Sequence, residues 1–93
     1  MTITVLLADD HAVVRDGLRV LLEAQGDIEV VASVGDGREA VQQARQHQPR
    51  AAVMDISMPE LNGVEATRQI RAACPGTQVV ILSIHSSAEH IFR

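Results

Sequence analysis

The stretch Ala51-Ala52-Val53-Met54-Asp55-Ile56-Ser57-Met58-Pro59-Glu60-Leu61-Asn62-Gly63 decides the fold. A short apolar run ends in a carboxylate and enters a loop marked by Pro59 and Gly63. That is the pattern of a buried strand delivering Asp55 to the end of a sheet. Near the amino terminus Val5-Leu6-Leu7-Ala8 runs straight into Asp9-Asp10 in the same way. Two strands therefore aim three acids at one rim.

Working outward from Asp55, strands alternate with helices. Ile3 to Ala8 is predicted to be a central strand, because its nearly unbroken apolar run suits burial on both faces. Ala12 to about Ala24 predicts a helix with Val14, Leu18, Leu21 and Leu22 as its apolar stripe, Arg15, Arg19 and Glu23 turned elsewhere, and Gly26 as its stop. Glu29 to Val34 is a second strand. Asp36 and Glu39 then have capping-box spacing and open a helix whose Ala40, Val41 and Ala44 form an apolar stripe before Pro49. Asn62 and Glu65 repeat that spacing and start a helix running to about Ala73, with Pro75-Gly76 as the turn out. Val79 to Ser83 is a fourth strand, and Ser86 to Glu89 is a further capping pattern. This alternation predicts a single α/β domain over residues 1–93, with a parallel sheet, right-handed crossovers and helices on both faces. Ligands of such sheets collect at the carboxyl ends of the strands. Asp9, Asp10, Asp55 and Ser83 are all predicted there.

Composition narrows the function. The 93 residues suffice for one small core, and 46% hydrophobic with 22% charged residues is ordinary for a folded domain. All eight basic residues are arginine against twelve acids, giving a net charge of -4 and no basic run to track a nucleic acid backbone. Direct DNA contact by this segment is therefore not expected. The first apolar run is cut by Asp9 and Asp10 too early to be a signal core or a membrane span, so a cytoplasmic address is expected. Cys74 is the lone cysteine and reads as a structural thiol. His85 and His90 are five residues apart, which does not stack on a helix face, so His11, His85 and His90 are assigned loop or surface roles rather than a metal site.

The acids carry the chemistry. Two carboxylates about 4 Å apart in an effective dielectric near 20 repel by roughly 4 kcal/mol, and a third adds to that. A proton on one acid or a hard divalent cation would offset the repulsion. Mg²⁺ suits such a rim because it accepts few carboxylates and keeps several waters, and it then favours a phosphoryl group. Taken singly, an Asp after a strand is as well explained as a turn former or helix N-cap. The coincidence of sequence-distant strand ends is what favours a site.

Leu7-Ala8-Asp9-Asp10-His11, Met54-Asp55-Ile56-Ser57-Met58-Pro59 with Gly63 and Glu65, and Leu82-Ser83-Ile84-His85 together resemble the receiver domain of bacterial two-component response regulators. The branch most resembled is the one whose full-length members carry a helix-turn-helix output domain. The resemblance implies a flavodoxin-like doubly wound sheet of strand order 2-1-3-4, with the family's lysine-bearing fifth strand and last helix missing from residues 1–93. It implies Asp55 as phosphoacceptor, taking its phosphoryl group from a histidine kinase. It also implies Mg²⁺ on Asp9, Asp10, Asp55 and the Ser57 backbone carbonyl, and Ser83 as a hydrogen-bond partner of the phosphoryl group. The expected product is a regulatory domain controlling transcription, whose only chemistry is its own phosphorylation and dephosphorylation. An incomplete sheet would leave the fourth strand as an apolar edge, so homo-oligomerisation through Val79 to Leu82 is expected. A binding or dimerisation module with the same fold and no phosphate cycle is the competing expectation, and an aspartate-nucleophile phosphatase ranks lower because Ser57 stands where a second acid would be needed. A dinucleotide-binding fold is disfavoured because Asp9-Asp10-His11-Ala12 lacks the required glycines.

Overall fold

The computed structural model describes residues 2–56, 58 and 61–82. Its elements follow in the order β1 (Ile3–Ala8), α1 (Ala12–Glu23), β2 (Ile28–Val34), α2 (Gly37–His47), β3 (Ala51–Asp55), α3 (Gly63–Ala73) and β4 (Gln78–Leu82). The strands form one parallel sheet of order β2-β1-β3-β4. The helix expected from Ser86 lies outside the described residues, as do Ser57 and Ser83.

Strand alternation sorts the core into two layers. Leu6, Ala8, Ala52 and Met54 point to one face, where Ala40, Val41 and Ala44 of α2 and Ala66 and Ile70 of α3 cover them. Val5, Leu7 and Val30 point to the other, against Leu18 and Leu22 of α1. Leu6, Leu7, Met54 and Ile70 are essentially fully buried, each contributing about 1.5–3 kcal/mol of hydrophobic stabilisation.

The N-cap half of the first two capping patterns is formed. Asp36 accepts a hydrogen bond from the Glu39 amide at 2.8 Å, and Asn62 accepts from the Glu65 amide at 2.9 Å, each satisfying one of the free donors of a helix start. At the end of α2 the chain reverses through Gln48, whose φ of 47° is left-handed, and its amide donates to the Ala44 carbonyl at 2.8 Å.

Helix α1 departs from its sequence pattern. Leu21, expected in the apolar stripe, is 66% exposed, whereas the Nε atom of Arg15, expected to turn away, is buried. At 3.6 residues per turn, Arg15, Leu18 and Leu22 fall within about 60° of one another and form the sheet-facing stripe. Leu21 sits off its flank. The amphipathic pattern identified the helix and placed Val14, Leu18 and Leu22 on its half-buried face, but it included Leu21 where Arg15 belongs.

Candidate functional site

The parallel register brings the acids together. Ala8 is level with Met54, so one step further along each strand puts Asp9 beside Asp55. Both side chains continue the alternation of Leu7 and Val53 and lie on the face covered by α1. Asp9 and Asp55 are only 7% and 5% exposed, while Asp10, the next residue along, faces solvent.

Asp9, Asp10, His11 and Asp55 offer ligand atoms that all lie within 4.8 Å of one another. His11 is the N-cap residue of α1 and occupies extended backbone. Its amide donates to Asp9 Oδ1 at 2.8 Å, and its ring Nδ1 lies 3.0 Å from that oxygen and 2.8 Å from Asp10 Oδ1. The hydrogen bond to Asp9 is the main cause that raises the imidazole's pKa above its ordinary 6.5; desolvation, the next largest influence, opposes it, and the charges of Asp10, Asp9 and Asp55 add to the rise. The protonated ring is thus a local counter-charge for the acids.

Asp55 Oδ2 is buried with no hydrogen-bond partner among the described residues. A buried, unpaired carboxylate oxygen beside two further carboxylates is a costly arrangement on its own. It suits a hard cation, which takes carboxylate oxygens and tolerates a partly aqueous shell. Asp9, Asp10 and Asp55 would supply those oxygens.

Of the residues predicted for the site, Asp9, Asp10 and Asp55 converge, and Ser57 and Ser83 lie outside the described residues. Two residues were given other roles by the sequence. His11 was assigned a loop or surface role, and it is exposed just before α1, but its ring also rests against both acids of the pair it follows. Arg15 was read as turned away from the apolar stripe, although its i, i+3, i+7 spacing with Leu18 and Leu22 was available as a signal. It lines a small cavity together with Asp9 and Asp55.

Known proteins share this fold and sequence pattern. Residues 5–93 match the family model described as the response regulator receiver domain. The chain is 44% identical over 90 residues to the oxygen regulatory protein NreC of Staphylococcus carnosus, covering 96% of this chain and 42% of that protein. Among solved structures, the response regulator domain of Thermotoga maritima CheB superposes with a TM-score of 0.86 at 40% identity, over 89% of this chain and 61% of that one. A LuxR-family two-component response regulator from Aurantimonas sp. SI85-9A1 gives a TM-score of 0.84 at 36% identity, over 99% and 68%. The chain thus spans well under half the length of curated relatives such as NreC. No helix among the described residues is long and apolar enough to cross a membrane. Sheet order and sequence similarity along this chain agree: the chain belongs to the response regulator receiver domains, and among them resembles the LuxR-family branch.

Proposed function

We propose that Asp55 accepts a phosphoryl group from the phosphohistidine of a histidine kinase in the cytoplasm. A carboxylate oxygen of Asp55 attacks phosphorus as the bond to the imidazole nitrogen breaks, leaving an acyl phosphate on β3. Asp9, Asp10, Asp55 and the Ser57 carbonyl would hold Mg²⁺, which when bound neutralises the carboxylates and screens the incoming phosphoryl oxygens. Ser83 would donate a hydrogen bond to the phosphoryl group, drawing its loop inward and biasing a protein-protein surface that controls transcription. The observation that carries this reading is Asp55 itself: it ends β3, is 5% exposed, and keeps one carboxylate oxygen unpartnered within the acid cluster.

The second reading is a binding or dimerisation module that uses the same fold without phosphate. Its support is β4, whose Val80 and Ile81 are 43% and 40% exposed at the sheet's edge among the described strands. Mg²⁺ titration separates the two, because an acid rim with a purely structural role has little reason to bind metal. Saturable Mg²⁺ binding by the native chain, weakened at least tenfold in Asp10→Asn and Asp55→Asn, is expected on the first reading. A native chain that binds no Mg²⁺ would turn the choice to the second.

A further inference from the structure

Among the described residues, two buried side-chain polar atoms have no hydrogen-bond partner: Asp55 Oδ2 and Arg15 Nε. They belong to residues that line one and the same cavity, on the α1 side of the sheet, with Asp9, Leu18 and Leu82 among the other walls. The cavity measures about 10 Å³. That is close to the space one water requires, and a buried water needs two to four polar partners. Here Arg15, which carries an orphan donor, Asp55, which carries an orphan acceptor, and Asp9 all line the same space. One orphan atom is a donor and the other an acceptor, so their requirements are complementary.

The placement of Arg15 is not incidental to packing. It stands on the sheet-facing stripe of α1, one turn before Leu18, where an apolar residue would serve the core better. The side chain instead runs over the strand ends toward Gly35, where a Cβ would lie 3.6 Å from its Nη1. A guanidinium stays charged under all ordinary conditions. Arg15 is half-buried with its Nε enclosed, and Asp9 and Asp55, which line the same cavity, are the acids that offset its charge.

We propose that Arg15 is the cationic positioning residue of the acid site, joined to Asp55 Oδ2 through a single water held in this cavity. Resting on the phosphoacceptor reading above, the assignment gives Arg15 two effects. It fixes the rotamer of Asp55 through one lone pair of Oδ2, leaving the remaining lone pairs of the carboxylate for the cation and the incoming phosphorus. It also sets a positive charge opposite any bound cation, which weakens the site's hold on metal while favouring the anionic phosphodonor.

The test reads Arg15 directly. In the metal-free protein, exchange of the Arg15 Nε proton with solvent is followed by ¹⁵N NMR, in the native chain and in Asp55→Ala. Loss of the acceptor is expected to speed exchange at least about tenfold, in line with release of a buried hydrogen bond. In parallel, Mg²⁺ affinity is measured for native, Arg15→Met and Arg15→Lys proteins. Removing the cation in Arg15→Met is expected to tighten Mg²⁺ binding by about threefold to tenfold, with Arg15→Lys close to native. A merely structural lesion would weaken metal binding, so the sign separates the two roles. Equal exchange rates in native and Asp55→Ala, or an Arg15→Met protein that binds Mg²⁺ no tighter than native, would overturn the assignment. A native protein that binds no Mg²⁺ would sink the phosphoacceptor reading instead, and proton exchange would still decide the contact between Arg15 and Asp55.

Discussion

His11 takes its charge state from the two carboxylates it touches. Because its pKa is raised in the fold, the imidazolium contact stabilises the native state at pH below about 6.5, and that contribution is lost as pH climbs through the raised value. In metal-free protein the His11 resonances should therefore titrate with a midpoint above 6.5, and Asp9→Asn should bring it back down. Saturating Mg²⁺ should lower the midpoint too, since the ion and the imidazolium compete for the same oxygens. Identical midpoints in native and Asp9→Asn protein would contradict the pairing. At this scale the sequence was legible where a residue's role is fixed by its place on a strand. Asp9 and Asp55 meet where the sequence placed them, because a strand end dictates where they project. The contacts of His11 with Asp9 and Asp10 and the approach of Arg15 to the same rim were not anticipated: the first depends on the turn between β1 and α1, and the second on the rotation of α1 and the β1–β3 register.

Two glycines show how elements hold the loop after β3. A Cβ at Gly37, the first residue of α2, would overlap the Leu61 carbonyl oxygen and lie 2.6 Å from the Leu61 carbonyl carbon. A Cβ at Gly63, the first residue of α3, would overlap the Asp55 carbonyl oxygen and lie 2.8 Å from Ile56 Cα. The Gly63 amide also donates to the Ile56 carbonyl at 2.8 Å, so α3 begins directly against the backbone that carries Asp55. Gly17 differs, since nothing lies within 4 Å of a Cβ built there on α1. Urea denaturation should show Gly63→Ala destabilised by about 1–3 kcal/mol and Gly17→Ala stabilised by up to about 1 kcal/mol. A Gly63→Ala protein as stable as native would show that the approach of α3 to β3 is not tight. The capping boxes were readable because they depend on residues three apart. The need for glycine at 37 was not, because its constraint comes from Leu61, remote in sequence.

For the whole molecule, the parallel sheet and its two helical layers followed from the alternation of apolar runs and capping signals, and strand order 2-1-3-4 from the resemblance its motifs carry. The exposure of Val80 and Ile81 along β4 makes this strand the surface through which the 93-residue chain would self-associate. Light scattering should show a mass that rises with concentration and falls in Ile81→Lys. A concentration-independent monomer would argue against strand pairing. The central claim is narrower: strand-end acids, brought together by parallel register, make Asp55 a metal-dependent phosphoacceptor. The most direct check is the intact mass of the native chain and of Asp55→Asn after incubation with a small-molecule phosphodonor, with Mg²⁺ and with a chelator. A single phosphoryl adduct on the native chain, present only with Mg²⁺ and absent from Asp55→Asn, is the predicted result. An adduct of equal yield on Asp55→Asn, or none on the native chain, would contradict it.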